Sequence, residues 1–134
     1  MIVDSVVWIA LKYEKDKYHL EARNLIPEIF KEKPVVVSDY IISEVYSFLL
    51  RKTSFEIAQN TLEMFVSSDK VSIIYNDKDS FQETLEIVKR YPYLSIVDAN
   101  IVLHAQKMKL EYLSFDERLS ALQKENSQIG KEIR

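Results

Sequence analysis

Short runs of β-branched and apolar residues alternate along this chain with longer segments whose apolar positions recur every three or four residues. Met1 to Val3 reads as a short buried strand closed by Asp4-Ser5. Pro34-Val-Val-Val37, bounded by Pro and by Ser38-Asp39, reads as a second, and Val71 to Tyr75 and Tyr112 to Phe115 as a third and fourth. Between them the spacing predicts helices over Val6 to Tyr13 and Tyr18 to Glu32, the latter with Leu20, Ile26 and Phe30 inward and Pro27 as a point of kinking. Further helices are expected over Asp39 to Lys52, from the capping pattern Thr53-x-x-Glu56 to about Ser68, and from Ser80-x-x-Glu83 to just before Pro92. Ser95 to Lys109 and Asp116 to about Lys124 complete the set. Strands separated by helices of this length pair in parallel through crossovers. The expected class is therefore α/β, a three-layer α/β/α arrangement with a short central parallel sheet.

Composition bounds what such a fold can do. At 134 residues the chain reads as one domain over 1–134, with residues 125–134 expected to form a loosely ordered tail. Size scaling predicts that about 68% of the unfolded surface is buried, enough for a core without disulfides. There is no Cys, which removes thiolate metal sites and cysteine nucleophiles. The single glycine, Gly130, excludes both a Walker loop and a dinucleotide fingerprint. The apolar run Val6 to Leu11 is far too short for a membrane span and lacks a basic leader, so a cytoplasmic protein without a membrane partner is expected. A net charge of −3 gives no overall steering toward nucleic acid. A polyanionic substrate would need local help.

Four acids stand out against this background. Asp4 and Asp116 each follow a strand, which places them at the carboxyl edge of the sheet; each also sits where a helix N-cap is wanted. Glu44 lies on the border of the apolar stripe formed by Ile41, Val45, Phe48 and Leu49, and is expected to be partly buried, with Arg51 as a possible ion-pair partner. Asp98 extends the stripe of Ile101, Val102, Ala105 and Met108 by one turn, at a position where an apolar residue would be expected. Ser95-x-x-Asp98 also resembles a capping box. Several carboxylates at one sheet edge call for a counter-charge. Oxygen ligands without Cys or a His pair suit Mg2+ or Mn2+ rather than zinc, ions able to promote phosphodiester hydrolysis.

Other features read as structural. His19 and His104 share no ligand spacing, and the stripe Tyr40, Tyr46, Phe48, Phe55 and Phe65 reads as core, with a dimer face as the alternative. Lys12, Lys15, Lys17 and Arg23 form a modest basic cluster that either contacts phosphates or is simply a solvated face.

Taken in order, these stretches resemble the PIN domain, in particular the VapC-type toxin ribonucleases of prokaryotic toxin–antitoxin pairs. Ile2-Val3-Asp4-Ser5-Val6-Val7-Trp8-Ile9-Ala10 is similar to the family's first strand and its terminal Asp. Ser43-Glu44-Val45 resembles its helical Glu motif, and Leu94-Ser95-Ile96-Val97-Asp98-Ala99 its third acidic motif. Leu113-Ser114-Phe115-Asp116 resembles the hydroxyl-x-Asp motif. The resemblance implies Asp4, Glu44, Asp98 and Asp116 as catalytic metal ligands, with Ser5 and Ser114 as supporting polar groups. It further implies a Mg2+- or Mn2+-dependent endoribonuclease acting on RNA, a homodimer, and a small antitoxin partner. The alternatives are a PIN-type nuclease of RNA processing without a toxin role, and a binding module whose acids are helix caps. Two stretches depart from the pattern: Met108-Lys109-Leu110-Glu111 lacks the usual turn glycine, and Gln123 to Arg134 shows no clear closing strand.

Overall fold

Every strand of this chain is short, and each is followed within a few residues by a helix N-terminus. The computed structural model describes residues 1–133, with side chains through residue 125. Its strands are β1 (Ile2–Val3), β2 (Val35–Ser38), β3 (Val71–Ile74) and β4 (Tyr112–Leu113). Its helices are α1 (Ser5–Lys12), α2 (His19–Glu32), α3 (Asp39–Lys52), α4 (Phe55–Ser67), α5 (Lys78–Arg90), α6 (Ile96–Met108) and α7 (Glu117–Ile133). The strands pair wholly in parallel in the order β3-β2-β1-β4, with Ile2 opposite both Val36 and Tyr112. The chain steps from β1 to β2 to β3 in one direction and then returns to the far side of β1. Right-handed crossovers therefore put α1–α4 on one face and α5–α6 on the other. That is the expected α/β/α layering. The reversal of direction at β1 and β4 opens a crevice beyond their carboxyl ends, where sheets of this kind hold their ligands.

Burial follows strand position. β2, paired on both sides, is buried at all four residues, whereas the edge strand β3 is buried only at Val71. Under β1 and β2 lie Val7, Trp8, Ile41, Val45, Leu49 and Phe65, all at 1% exposure or less. The Trp8 indole donates to the Val3 carbonyl at 3.0 Å and meets Phe65 edge-on at 5.0 Å, so its one polar atom is satisfied within the core. No helix among the described residues is long and apolar enough to cross a membrane.

Several details differ from the sequence reading. The cap of α4 is Ser54, whose hydroxyl accepts from Ile57 N–H, and not Thr53. The cap of α5 is Asp77, with Ser80 at the third helical position of a true capping box. α2 continues through Pro27, and its inner face is Ala22, Ile26 and Ile29; Leu20 is 70% exposed. Met108 is exposed where α6 ends. Of the aromatic stripe, Phe65 is core, Tyr40, Tyr46 and Phe48 are partly buried, and Phe55 is exposed. Lys109 takes up the left-handed conformation (φ 55°, ψ 47°) in the glycine-free turn. α7 runs past Lys124, and the tail expected over 125–134 lies, from residue 126 on, outside the residues with described side chains.

Candidate active site

Asp4 leaves β1 and at once becomes the N-cap of α1, so its carboxylate is carried to the mouth of the crevice and buried to 1% exposure. Its two oxygens are held separately. Oδ1 accepts from the Ser5 N–H at 2.7 Å, and Oδ2 accepts from the Ser114 hydroxyl at 2.7 Å. Ser114 follows β4 and in turn accepts the Asp116 N–H at 3.0 Å. One serine thus links the ends of the two strands that flank the crevice. The Ser5 hydroxyl has one proton and two acidic neighbours: it lies 2.5 Å from Glu44 Oε1 and 3.3 Å from Asp4 Oδ1. The shorter contact takes the proton, which ties α3 to the N-terminus of α1.

Glu44 is exposed rather than half-buried, and among the described ion pairs it makes none with Arg51. Its border position carries the side chain over the edge of α3 to Ser5, and the end stays in water. Glu44 shares an open groove of about 470 Å³ with Tyr40, Phe81, Ile96 and Val97, the last of these one residue before Asp98. Asp98 is half-buried in the first turn of α6, where Ser95 caps the helix by accepting its N–H at 3.1 Å. Asp116 caps α7: its Oδ1 accepts from Arg118 N–H at 2.9 Å and Leu119 N–H at 3.3 Å, while Oδ2 has no protein partner among the described bonds. The capping and the functional readings of these acids are therefore compatible. Three of the four are at helix starts: Asp4 and Asp116 where a strand end meets a helix, and Asp98 in the first turn of α6, which follows α5.

The charges of the acids reach one another. Desolvation pushes the Asp4 carboxyl up to about 6, the Ser114 and Ser5 bonds oppose this, and the charges of Asp98 and Glu44 add to it. Asp98 is raised first by burial and then by Asp116 and Glu44, with Ser95 acting against them. The ion pairs among the described residues are Lys31–Glu28, Lys33–Glu111, Lys89–Glu86 and Lys107–Glu83, and none includes a member of this set. All six predicted polar residues stand at the same sheet edge. They are not packed into a finished cage: no three carboxylates or imidazoles among the described residues are spaced to hold one ion.

A second polar group at this edge was not read from the sequence. Asp39, Asn76, Thr84, Asn100 and His104 form a hydrogen-bonded cluster at the end of β3. The available signal was Asn100 standing amid the apolar run of α6, with His104 one turn on.

No curated protein sequence matches the chain. Among solved structures, Mycobacterium tuberculosis VapC20, a sarcin-ricin loop cleaving toxin, superposes with a TM-score of 0.81 at 23% identity over 90% of this chain and 93% of that one. VapBC2 from Rickettsia felis, bound to a DNA fragment from its promoter, follows with a TM-score of 0.66 at 13% identity over 90% of each chain. At these identities the likeness is one of fold. The sequence itself matches the PIN domain family model over residues 1–125, which takes in all four acids and every strand, and on that ground the chain belongs to the PIN domain family.

Proposed function

We propose that the chain is a Mg2+- or Mn2+-dependent endoribonuclease, the toxin of a type II toxin–antitoxin pair, acting in the cytoplasm as a homodimer restrained by a small antitoxin. The observation that carries the chemistry is a buried carboxylate, Asp4, raised by burial and by neighbouring acids, in a cluster with no basic partner among the described ion pairs. Such an edge repels RNA on its own charge. A hard divalent cation reverses that field, and an all-oxygen donor set without thiolate or paired imidazole is the kind such ions take. Glu44 is exposed and Asp98 and Asp116 are half-buried, so these side chains have room to turn toward the fixed Asp4.

Asp4, Glu44, Asp98 and Asp116 would hold the cation, which when bound supplies charge neutralisation and polarisation at the scissile phosphodiester. The protein's own part is positioning. Ser114 and the Ser5 N–H fix both oxygens of Asp4, the Ser5 hydroxyl draws Glu44 to the same place, and the first turn of α7 holds Asp116 by one oxygen only. The toxin assignment draws its support from the VapC20 and VapBC2 likenesses, the first a cleaving toxin by name and the second a VapBC assembly.

Asp98→Asn tests the reading. The variant keeps the helix cap and is expected to remain folded, while Mn2+-dependent cleavage of a mixed RNA substrate drops at least a hundredfold. Retention of full activity by Asp98→Asn overturns the assignment. Growth arrest on expression of the chain, relieved by co-expression of a small protein encoded beside it, would test the toxin role separately.

A further inference from the structure

The proposed site needs Glu44 on α3 and Asp98 on α6 at a set separation. Yet α3 packs chiefly on α1 and α4, and α6 chiefly on α5. The polar cluster at the end of β3 joins these two groups of helices. Asn76, two residues past β3, donates its backbone N–H to Asp39 Oδ2 at 3.1 Å and its Nδ2 to Asp39 Oδ1 at 2.7 Å. Asp39 is the first residue of α3. On its other side Asn76 faces α6. Its Oδ1 accepts from Asn100 Nδ2 at 2.8 Å and lies 2.8 Å from His104 Nε2, and its Nδ2 also donates to Asn100 Oδ1 at 3.2 Å.

Chemistry fixes the orientation of every member. A carboxylate only accepts, so the amide nitrogen of Asn76 must face Asp39. That leaves Oδ1 for α6 and requires His104 Nε2 to carry its proton. The second hydrogen of Asn100 Nδ2 goes to Thr84 Oγ1 at 2.9 Å, and the Thr84 hydroxyl goes to the Ser80 carbonyl at 2.7 Å. Each side-chain donor of the two amides therefore has an acceptor. Asn100 and Thr84 are fully buried, and a closed network of this kind permits one arrangement where an apolar contact would permit several.

We propose that Asn76 is a positioning residue for the carboxylate site. It fastens the first turn of α3, five residues before Glu44, to α6, and so sets the gap between Glu44 and Asp98. Asn100 lies two residues past Asp98, about 200° round the helix, and His104 repeats its direction one turn on. Holding Asn100 and His104 against the end of β3 turns Asp98 the other way, to where the charges of Glu44 and Asp116 act on it. The inference rests on the reading that Glu44 and Asp98 serve one ion.

Two readouts test it, one of them free of metal. The chain has no Cys, so spin labels placed by Ser47→Cys and Gln106→Cys, both exposed, report the α3–α6 distance alone. Asn76→Ala and His104→Leu are expected to broaden that distance distribution and to weaken Mn2+ binding by calorimetry at least fivefold, with kcat for RNA falling more than KM rises. His104→Gln keeps a donor toward Asn76 and is expected to return both readouts to wild-type values. Phe65→Leu, a cavity in the core against Trp8, serves as the control: it lowers Tm and leaves distance and affinity alone. Wild-type distance and affinity in Asn76→Ala overturn the inference, as does an equal change in both readouts in Phe65→Leu. If Asn76→Ala does not fold, the His104→Leu and His104→Gln pair decides on the same criteria. A wild-type chain that binds no Mn2+ overturns the proposed function as well, whereas a chain that binds it, with no loss in the variants, overturns the positioning role alone.

Discussion

Asp4 carries the largest electrostatic cost among the described carboxylates, and the cost has a sign that can be followed with pH. Folding moves its pKa from the ordinary 3.8 to about 6. Between those values the folded chain holds a proton that the unfolded chain has released. The unfolded state then binds fewer protons, so stability falls as pH rises. The favourable contribution is complete below about pH 4 and is lost as pH passes about 6, a change of about 3 kcal/mol for a group so deeply buried. Asp4→Asn removes the titration while its amide can still accept from the Ser5 N–H and donate to Ser114. In metal-free urea unfolding the variant is expected to be about 1–3 kcal/mol more stable than wild type at pH 7.5, with about two-thirds of that gap gone by pH 4.5. Equal stability of the two proteins at both pH values would show that the carboxylate is not strained. The same burial that destabilises the metal-free chain would raise the affinity of the proposed site for a cation, since binding would relieve the repulsion from Asp98 and Glu44.

At the scale of elements, α6 shows what a sequence exposes and what it conceals. Its start was legible because Ser95 has the one geometry a cap needs, with Asp98 N–H on its hydroxyl. Its end was legible as a conflict: a left-handed residue was expected where no glycine stands, and Lys109 occupies it. A side chain with a Cβ is strained there, so Lys109→Gly is expected to stabilise the fold by about 1 kcal/mol without altering cleavage, read as a higher Tm. A lower Tm would mean that the lysine side chain contributes more than its backbone costs. The caps of α4 and α5 were misplaced for a physical reason. Thr53 and Ser54 are adjacent hydroxyls, and Asp77 and Ser80 form a reciprocal box that reads equally well as Ser80 leading to Glu83. On α2, Ala22, Ile26 and Ile29 fall at i, i+4 and i+7 on one face, whereas Leu20 stands six residues before Ile26 and off that face, so the reading favoured larger apolar side chains over the stricter spacing. The amide cluster was concealed because its members come from four separate parts of the chain and no local pattern joins them. Asp4, Asp98 and Asp116 were legible because each ends a strand or starts a helix, and Glu44, in the middle of α3, because it interrupts the border of an apolar stripe.

Over the whole molecule, the net charge of −3 and the acidic edge oppose an RNA substrate, so local groups must supply the attraction. The best placed is the α1–α2 connection. Lys17 stands 5.0 Å over the ring of Tyr18, and Tyr18 packs at 4.9 Å on Phe115, the residue before Asp116. Replacing Lys15 and Lys17 with Ala is expected to raise KM for RNA with little change in kcat. It should also flatten the salt dependence by about 0.7 in log–log slope per lost phosphate contact. An unchanged slope would return these lysines to the solvated surface. A divalent cation at the acidic edge would offset the repulsion at its source, and its binding is measurable without substrate. A ligand that binds only the folded chain at a hundredfold excess over its Kd adds about 2.7 kcal/mol to stability. Millimolar Mn2+ should therefore raise the Tm of the wild-type protein by several degrees. Glu111→Gln, an exposed acid outside the set, should keep that shift, and Asp4→Asn should lose it. A shift of equal size in Asp4→Asn would mean that the metal acts on the general surface charge, and the four carboxylates would then have no common ion to explain their presence at one edge of the sheet.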